Sequence, residues 1–125
     1  MKTIICGSRN FTDDKLLYKV MIKLSWKPTA IISGKARGAD TIGEEWAREH
    51  LIPVIDFPAL WEKYGKAAGP IRNKLMNEEA EACVAFLYPN SKGTQNMIDQ
   101  FRKSAKGRPL CVVYCDEGTW VEENV

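Results

Sequence analysis

With 125 residues, 45% of them apolar and 27% charged, the chain suits a single compact soluble domain with its own core. A formal net charge of +2 is too small to argue by itself for nucleic acid or a membrane surface as partner. No apolar run approaches membrane-spanning length, and the first apolar stretch is shorter than a secretory signal, so the expected location is cytoplasmic.

The first strand is predicted at residues 3–6 and hands over to Gly7-Ser8-Arg9. A helix follows over 13–24, with Thr12 as N-cap, two acids in the first turn, and Leu16, Leu17, Val20, Met21 and Leu24 at helical spacing. Lys15, Lys19 and Lys23 repeat every fourth residue on its other side, and Lys27 lies just beyond. The second strand, 30–33, stops at the loop Gly34-Lys35-Ala36-Arg37-Gly38-Ala39-Asp40, and a helix opens at about Thr41 and runs to Glu49, burying Ile42, Trp46 and Ala47. Asp40 reads either as the N-cap of that helix or as an acceptor for ribose hydroxyls. A third strand is predicted at 54–57, a segment over 58–69 able to cap the neighbouring loops, and a helix from Pro70 to near Ala80. A fourth strand at 83–87 leads to Gly93-Thr94, which opens a helix over 94–106 with Met97, Ile98, Phe101 and Ala105 on one side and Gly107 as its stop. The last strand is predicted at 110–114. The domain is thus placed at residues 1–115, followed by an acidic tail, 116–125, that either adds a short element or stays loose.

Strands alternating with helices predict an α/β fold: one three-layer domain with about five parallel strands and helices on both faces. In such a sheet the loops after the strands share one edge. Gly7-Ser8-Arg9, the 34–40 loop and Gly93-Thr94 are therefore expected to converge. Glycine-bearing turns that end in helix starts leave amides without partners and receive anions, and Arg9 and Arg37 add planar cations suited to phosphate. The 34–40 spacing is neither GxGxxG nor GxxxxGK[ST]. The four cysteines lie in or at the end of apolar runs with no CxxC pair, which predicts reduced thiols and no metal site. The single histidine, His50, is expected at a helix end.

The chain resembles the SLOG superfamily of Rossmann-like proteins, and within it the YspA/YpsA-related branch. The resemblance is carried by Gly7-Ser8-Arg9, Ser33-Gly34-Lys35-Ala36-Arg37-Gly38-Ala39-Asp40, Glu45-Trp46-Ala47, the run from Trp61 through Gly69-Pro70-Ile71-Arg72-Asn73, and Gly93-Thr94, in that order over most of residues 2–114. It implies a nucleotide or nucleotide-derived ligand at the loop edge, no further cofactor, and self-association, since related SLOG proteins often pair. The expected nucleotide-binding residues are Gly7, Ser8, Arg9, Gly34, Arg37, Gly38, Ala39, Asp40, Arg72, Asn73, Gly93 and Thr94, with Trp61 or Tyr64 available to stack on a base.

The superfamily also contains LOG-type phosphoribohydrolases, whose PGGxGTxxE motif aligns with Pro89-Asn90-Ser91-Lys92-Gly93-Thr94-Gln95-Asn96-Met97. The glutamate of that motif falls on Met97, which can neither stabilise an oxocarbenium ion nor activate water. The favoured reading is a cytosolic binding or sensing protein. Two others compete: a nucleotide N-glycosidic hydrolase using Asp40, Glu44 or Glu45 instead, and single-stranded nucleic-acid binding along the lysine line, as DprA-like proteins would suggest. The second of these is weakened because the lysine helix carries no interleaved exposed aromatics.

Overall fold

The computed structural model describes residues 1–104 and 107–124. Six strands form one sheet: β1 (Lys2–Gly7), β2 (Ala30–Ser33), β3 (Val54–Asp56), β4 (Ala82–Leu87), β5 (Pro109–Tyr114) and β6 (Thr119–Asn124), in the spatial order β3-β2-β1-β4-β5-β6. The first five are parallel, and β6 pairs antiparallel with β5. The helices are α1 (Asp14–Lys23), α2 (Ala39–Glu49), α3 (Trp61–Tyr64), α4 (Ala68–Glu79) and α5 (Lys92–Ser104), with a 3-10 turn, Gly65–Ala67, joining α3 to α4. The expected three-layer, Rossmann-like α/β arrangement is present.

Alternation along the buried strands divides the core in two. Ile5, Ile31, Val84 and Val113 face the layer of α1 and α2, meeting Leu16, Leu17, Val20, Met21 and Trp46. Ile4, Ile32, Cys83 and Ala85 face the opposite layer, meeting Met76, Met97, Ile98 and Phe101 of α4 and α5. Each fully buried Leu, Ile, Met or Phe contributes about 1.5–3 kcal/mol relative to exposure.

Several boundaries differ from the sequence expectation, for local reasons. Asp13, not Thr12, caps α1: its carboxylate accepts from the Leu16 amide at 3.0 Å. Helix α2 starts at Ala39 behind Gly38, so Asp40 lies inside the first turn and is not the N-cap. Helix α4 begins two residues before Pro70, because α3 and the 3-10 turn lead into it almost without a break. Helix α5 begins at Lys92; the predicted positions Ala105 and Lys106, and the last tail residue Val125, lie outside the described residues. The acidic tail supplies β6, anchored by Glu123 to Arg102 at 2.7 Å and by Glu122 to Ser25. Trp120 of β6 packs against the α1 layer, and the ammonium groups of Lys19 and Lys23 each lie 6.0 Å from its ring centre. An aromatic thus does meet the lysine line, contributed by a distant strand.

All four cysteines are free thiols. Cys6 is held well above the usual thiol range by the neighbouring Cys83 and by burial, and burial pushes Cys111 up to about 12. His50 ends α2, stacked 4.5 Å over Trp46. Among the described residues no helix is long and apolar enough to cross a membrane.

Candidate functional site

The chain leaves β1 into α1 on one face of the sheet and leaves β4 into α5 on the other. Adjacent parallel strands whose connections diverge in this way open a crevice beyond their carboxyl ends. A cleft of about 530 Å³ lies there, within the size range of small-molecule sites. Cys6, Met76 and Met97 give it an apolar base. Gly7, Ser8 and Arg9 border it from β1, and Gly34, Ala36 and Asp40 from the β2–α2 connection. Trp61 of α3 with Gly69, Pro70, Arg72 and Asn73 of α4 form another side, and 90–94 with Asn96 complete it from the β4–α5 connection.

The two helix-opening loops are built differently. In the β2–α2 loop three backbone donors are taken up by neighbouring groups, while the amides of Arg37, Gly38, Asp40 and Thr41 have no protein partner among the described residues. Lys35 N donates to Ser33 Oγ at 3.2 Å, Ala36 N to Asp40 Oδ2 at 3.2 Å, and Ala39 N to the Ser8 carbonyl at 3.4 Å. Gly38, at φ +77°, passes directly beneath β1: a Cβ there would stand 2.2 Å from the Ser8 carbonyl oxygen. Ala39 is fully buried. Gly38 and Ala39 hold the loop against β1 and are not among the residues that border the cleft. In the β4–α5 loop, the first helical bond runs from Gln95 N to Ser91 O, which leaves the amides of Lys92, Gly93 and Thr94 without protein partners among the described residues. These three residues border the cleft.

A polar chain ties the walls together. Arg72 Nη1 donates to the Gly34 carbonyl at 2.7 Å, and its Nε donates to Asn73 Oδ1 at 3.1 Å. Asn73 Nδ2 donates to Asn96 Oδ1 at 3.0 Å and reaches the Gly93 carbonyl at 3.4 Å. Gly34 is required by this packing, since a Cβ would come within 2.6 Å of Arg72 Nη1 and 3.0 Å of Asp40 Oδ2. Asp40 is only 5% exposed and is the one carboxylate bordering the cleft among the described residues. Burial lifts its pKa from 3.8 to about 6, against the opposing pull of the Ala36 amide and the Arg72 guanidinium.

Nine of the twelve sequence-predicted residues border this cleft: Gly7, Ser8, Arg9, Gly34, Asp40, Arg72, Asn73, Gly93 and Thr94. Arg37 instead borders an adjoining pocket of about 380 Å³. Glu44 and Glu45 border neither. Glu44 is buried and accepts from Ser33 Oγ and Lys35 Nζ, each at 2.8 Å, while Glu45 is exposed. Met76, Asn96 and Met97 were not read as cleft residues, yet helical spacing pointed to two of them: Met76 lies four residues after Arg72, and Met97 four after Gly93. Arg9 stacks its guanidinium 5.9 Å from the Trp61 ring centre, the attraction of a cation for an aromatic face.

Comparison with known proteins agrees with this architecture. The family model of the YspA, cpYpsA-related SLOG family matches residues 1–64, which run from β1 through α3. The Gene 61 protein of Mycobacterium phage D29 is 31% identical over 112 residues, covering 82% of this chain and 90% of the phage protein. No solved structure gives a significant match. The chain belongs to the YspA, cpYpsA-related SLOG family.

Proposed function

We propose that this protein binds a nucleotide or nucleotide-derived small molecule in the cleft beyond β1 and β4, acting as a sensor, carrier or sequestering protein. One arrangement carries the reading: the unpartnered amides of Lys92, Gly93 and Thr94 border the same cavity as Arg9, Arg72 and Trp61. The amides at a helix start and the guanidinium groups suit a phosphate. The exposed Trp61 ring offers a stacking surface for a base. Asp40, set deeper, suits hydrogen-bond donors such as ribose hydroxyls. Three or four charge-assisted bonds, less the cost of ordering and desolvation, correspond to a Kd of roughly micromolar order. Membership in a SLOG family supports a nucleotide-related ligand.

Thermal unfolding in the presence of ribonucleotides of all four bases tests the proposal. A ligand at 100 times its Kd stabilises by about 2.7 kcal/mol, a rise of several degrees that Arg72→Met abolishes. If no member of the set shifts the transition, the proposal fails.

One observation favours a second reading. Asp40 is a carboxyl group in the cleft with a pKa near 6, in the range suited to general acid–base work, whereas the LOG-motif glutamate is replaced by Met97, which also borders the cleft. Under this reading nucleoside monophosphates release free base, and Asp40→Asn stops the release. Intact substrate after long incubation removes it.

A further inference from the structure

The adjoining pocket of about 380 Å³ shares Gly34, Ala36, Trp61 and two arginines with the main cleft, so the two cavities lie side by side along these residues. Its charge is one-sided. Arg9, Lys35, Arg37 and Arg72 border it, and no carboxylate does among the described residues. Two of these cations are already engaged: Lys35 by Glu44 at 2.8 Å and Asp56 at 3.9 Å, and Arg72 by the Gly34 carbonyl with Asp40 beside it. Arg9 and Arg37 form no ion pair among the described residues, and both are exposed. Two guanidinium groups bordering one pocket repel each other, and an anion bound between them relieves that repulsion. The start of α5, with its own three unpartnered amides, lies on the other side of the Arg72–Asn73–Asn96 chain. The two cavities together therefore offer two separate places for negative charge.

We infer that the adjoining pocket is a second anion subsite, and that the ligand is a nucleoside di- or triphosphate rather than a monophosphate. This inference rests on nucleotide binding in the main cleft. A single phosphate at the start of α5 leaves Arg9 and Arg37 at the adjoining pocket without an anion. A second or third phosphate reaches them and takes up their bidentate donors.

The test is calorimetric titration with the mono-, di- and triphosphates of adenosine, guanosine, cytidine and uridine, on the wild-type protein and on Arg37→Ala. Arg37 borders only the adjoining pocket and is exposed, so its truncation leaves the fold intact. The expected result is that, for the preferred base, the di- or triphosphate binds at least tenfold more tightly than the monophosphate. Arg37→Ala should remove most of that difference and leave monophosphate affinity unchanged. Equal affinity for all three forms, or a difference that survives Arg37→Ala, overturns the second subsite while nucleotide binding stands. If no nucleotide of any kind binds, both the subsite and the proposed function fall.

Discussion

The connections from β2 to α2 and from β4 to α5 look alike in sequence, each a short glycine-bearing turn that opens a helix, yet they do opposite work. The first is folded onto its neighbours: Ser33, Asp40 and the Ser8 carbonyl take up three of its amides, and Gly34 and Gly38 are there because backbone or side chains lie where a Cβ would go. The second is open. Among the described residues nothing lies within 4 Å of where a Gly93 Cβ would be, and the amides of Lys92, Gly93 and Thr94 have no partners. A glycine-rich loop thus signals either tight packing or an anion cradle, and what fills the space around it decides which. Here the loop with the more elaborate motif packs against β1, and the plainer one sets three open amides at residues that border the cleft.

Substitutions should separate the two loops cleanly. The largest effect is expected from Gly38→Ala. An alanine at φ +77° with a neighbouring oxygen 2.2 Å away forces a shift of either β1 or the loop and should cost about 3–5 kcal/mol, measurable by urea unfolding. Gly93→Ala lies at the other end of the scale. It sits in open space in the first turn of a helix, so stability should change by less than about 0.5 kcal/mol, while nucleotide affinity falls if the added methyl crowds the amides.

Asp40→Asn comes second in size and has the opposite sign. The folded protein holds the Asp40 proton more tightly than the unfolded chain, with a pKa of about 6 against 3.8. Stability from this group is therefore present below about pH 4 and is lost as pH rises through 6, by at most about 3 kcal/mol. The amide variant should melt at a higher temperature than wild type at pH 7.5. That advantage should shrink steadily as the pH falls from 6 towards 4, because the wild-type carboxyl becomes neutral. A gain in stability accompanied by weaker nucleotide binding is the expected signature of a charge retained for function. A variant that is less stable at pH 7.5 would show that Arg72 fully compensates the buried carboxylate.

Arg72→Met should follow at about 1–3 kcal/mol, the cost of losing the bond to the Gly34 carbonyl and loosening the Asn73–Asn96 chain. Both loops are tied by this residue, so nucleotide-induced stabilisation should vanish with it even at pH values where the variant remains fully folded.

The sequence made the parallel framework legible because apolar runs at strand length alternate with segments of helical period, and the strands of such a sheet are covered on both faces. It hid β6 for the converse reason. An edge strand covered on one face carries only Trp120 and Val121 as apolar residues, and Glu122 and Glu123 disguised its pattern, although Asp116-Glu117-Gly118 before it is a turn signal. Convergence of the loops at one edge followed from topology. Which amides are already used did not, because that depends on contacts such as Ser8 with Ala39, distant in the chain, and on the exact turn that brings Asp40 back to the Ala36 amide.

The most direct test of the account follows backbone amide resonances as the preferred nucleotide is added to the full chain, a 14.1 kDa protein well suited to the measurement. The account predicts that the largest shifts gather at Lys92, Gly93 and Thr94, with Ser8, Arg9 and Asn73 next and the interior of the Gly38–Ala39 turn little changed. Shifts concentrated instead along Lys15, Lys19 and Lys23, or spread without focus on the start of α5, would contradict it.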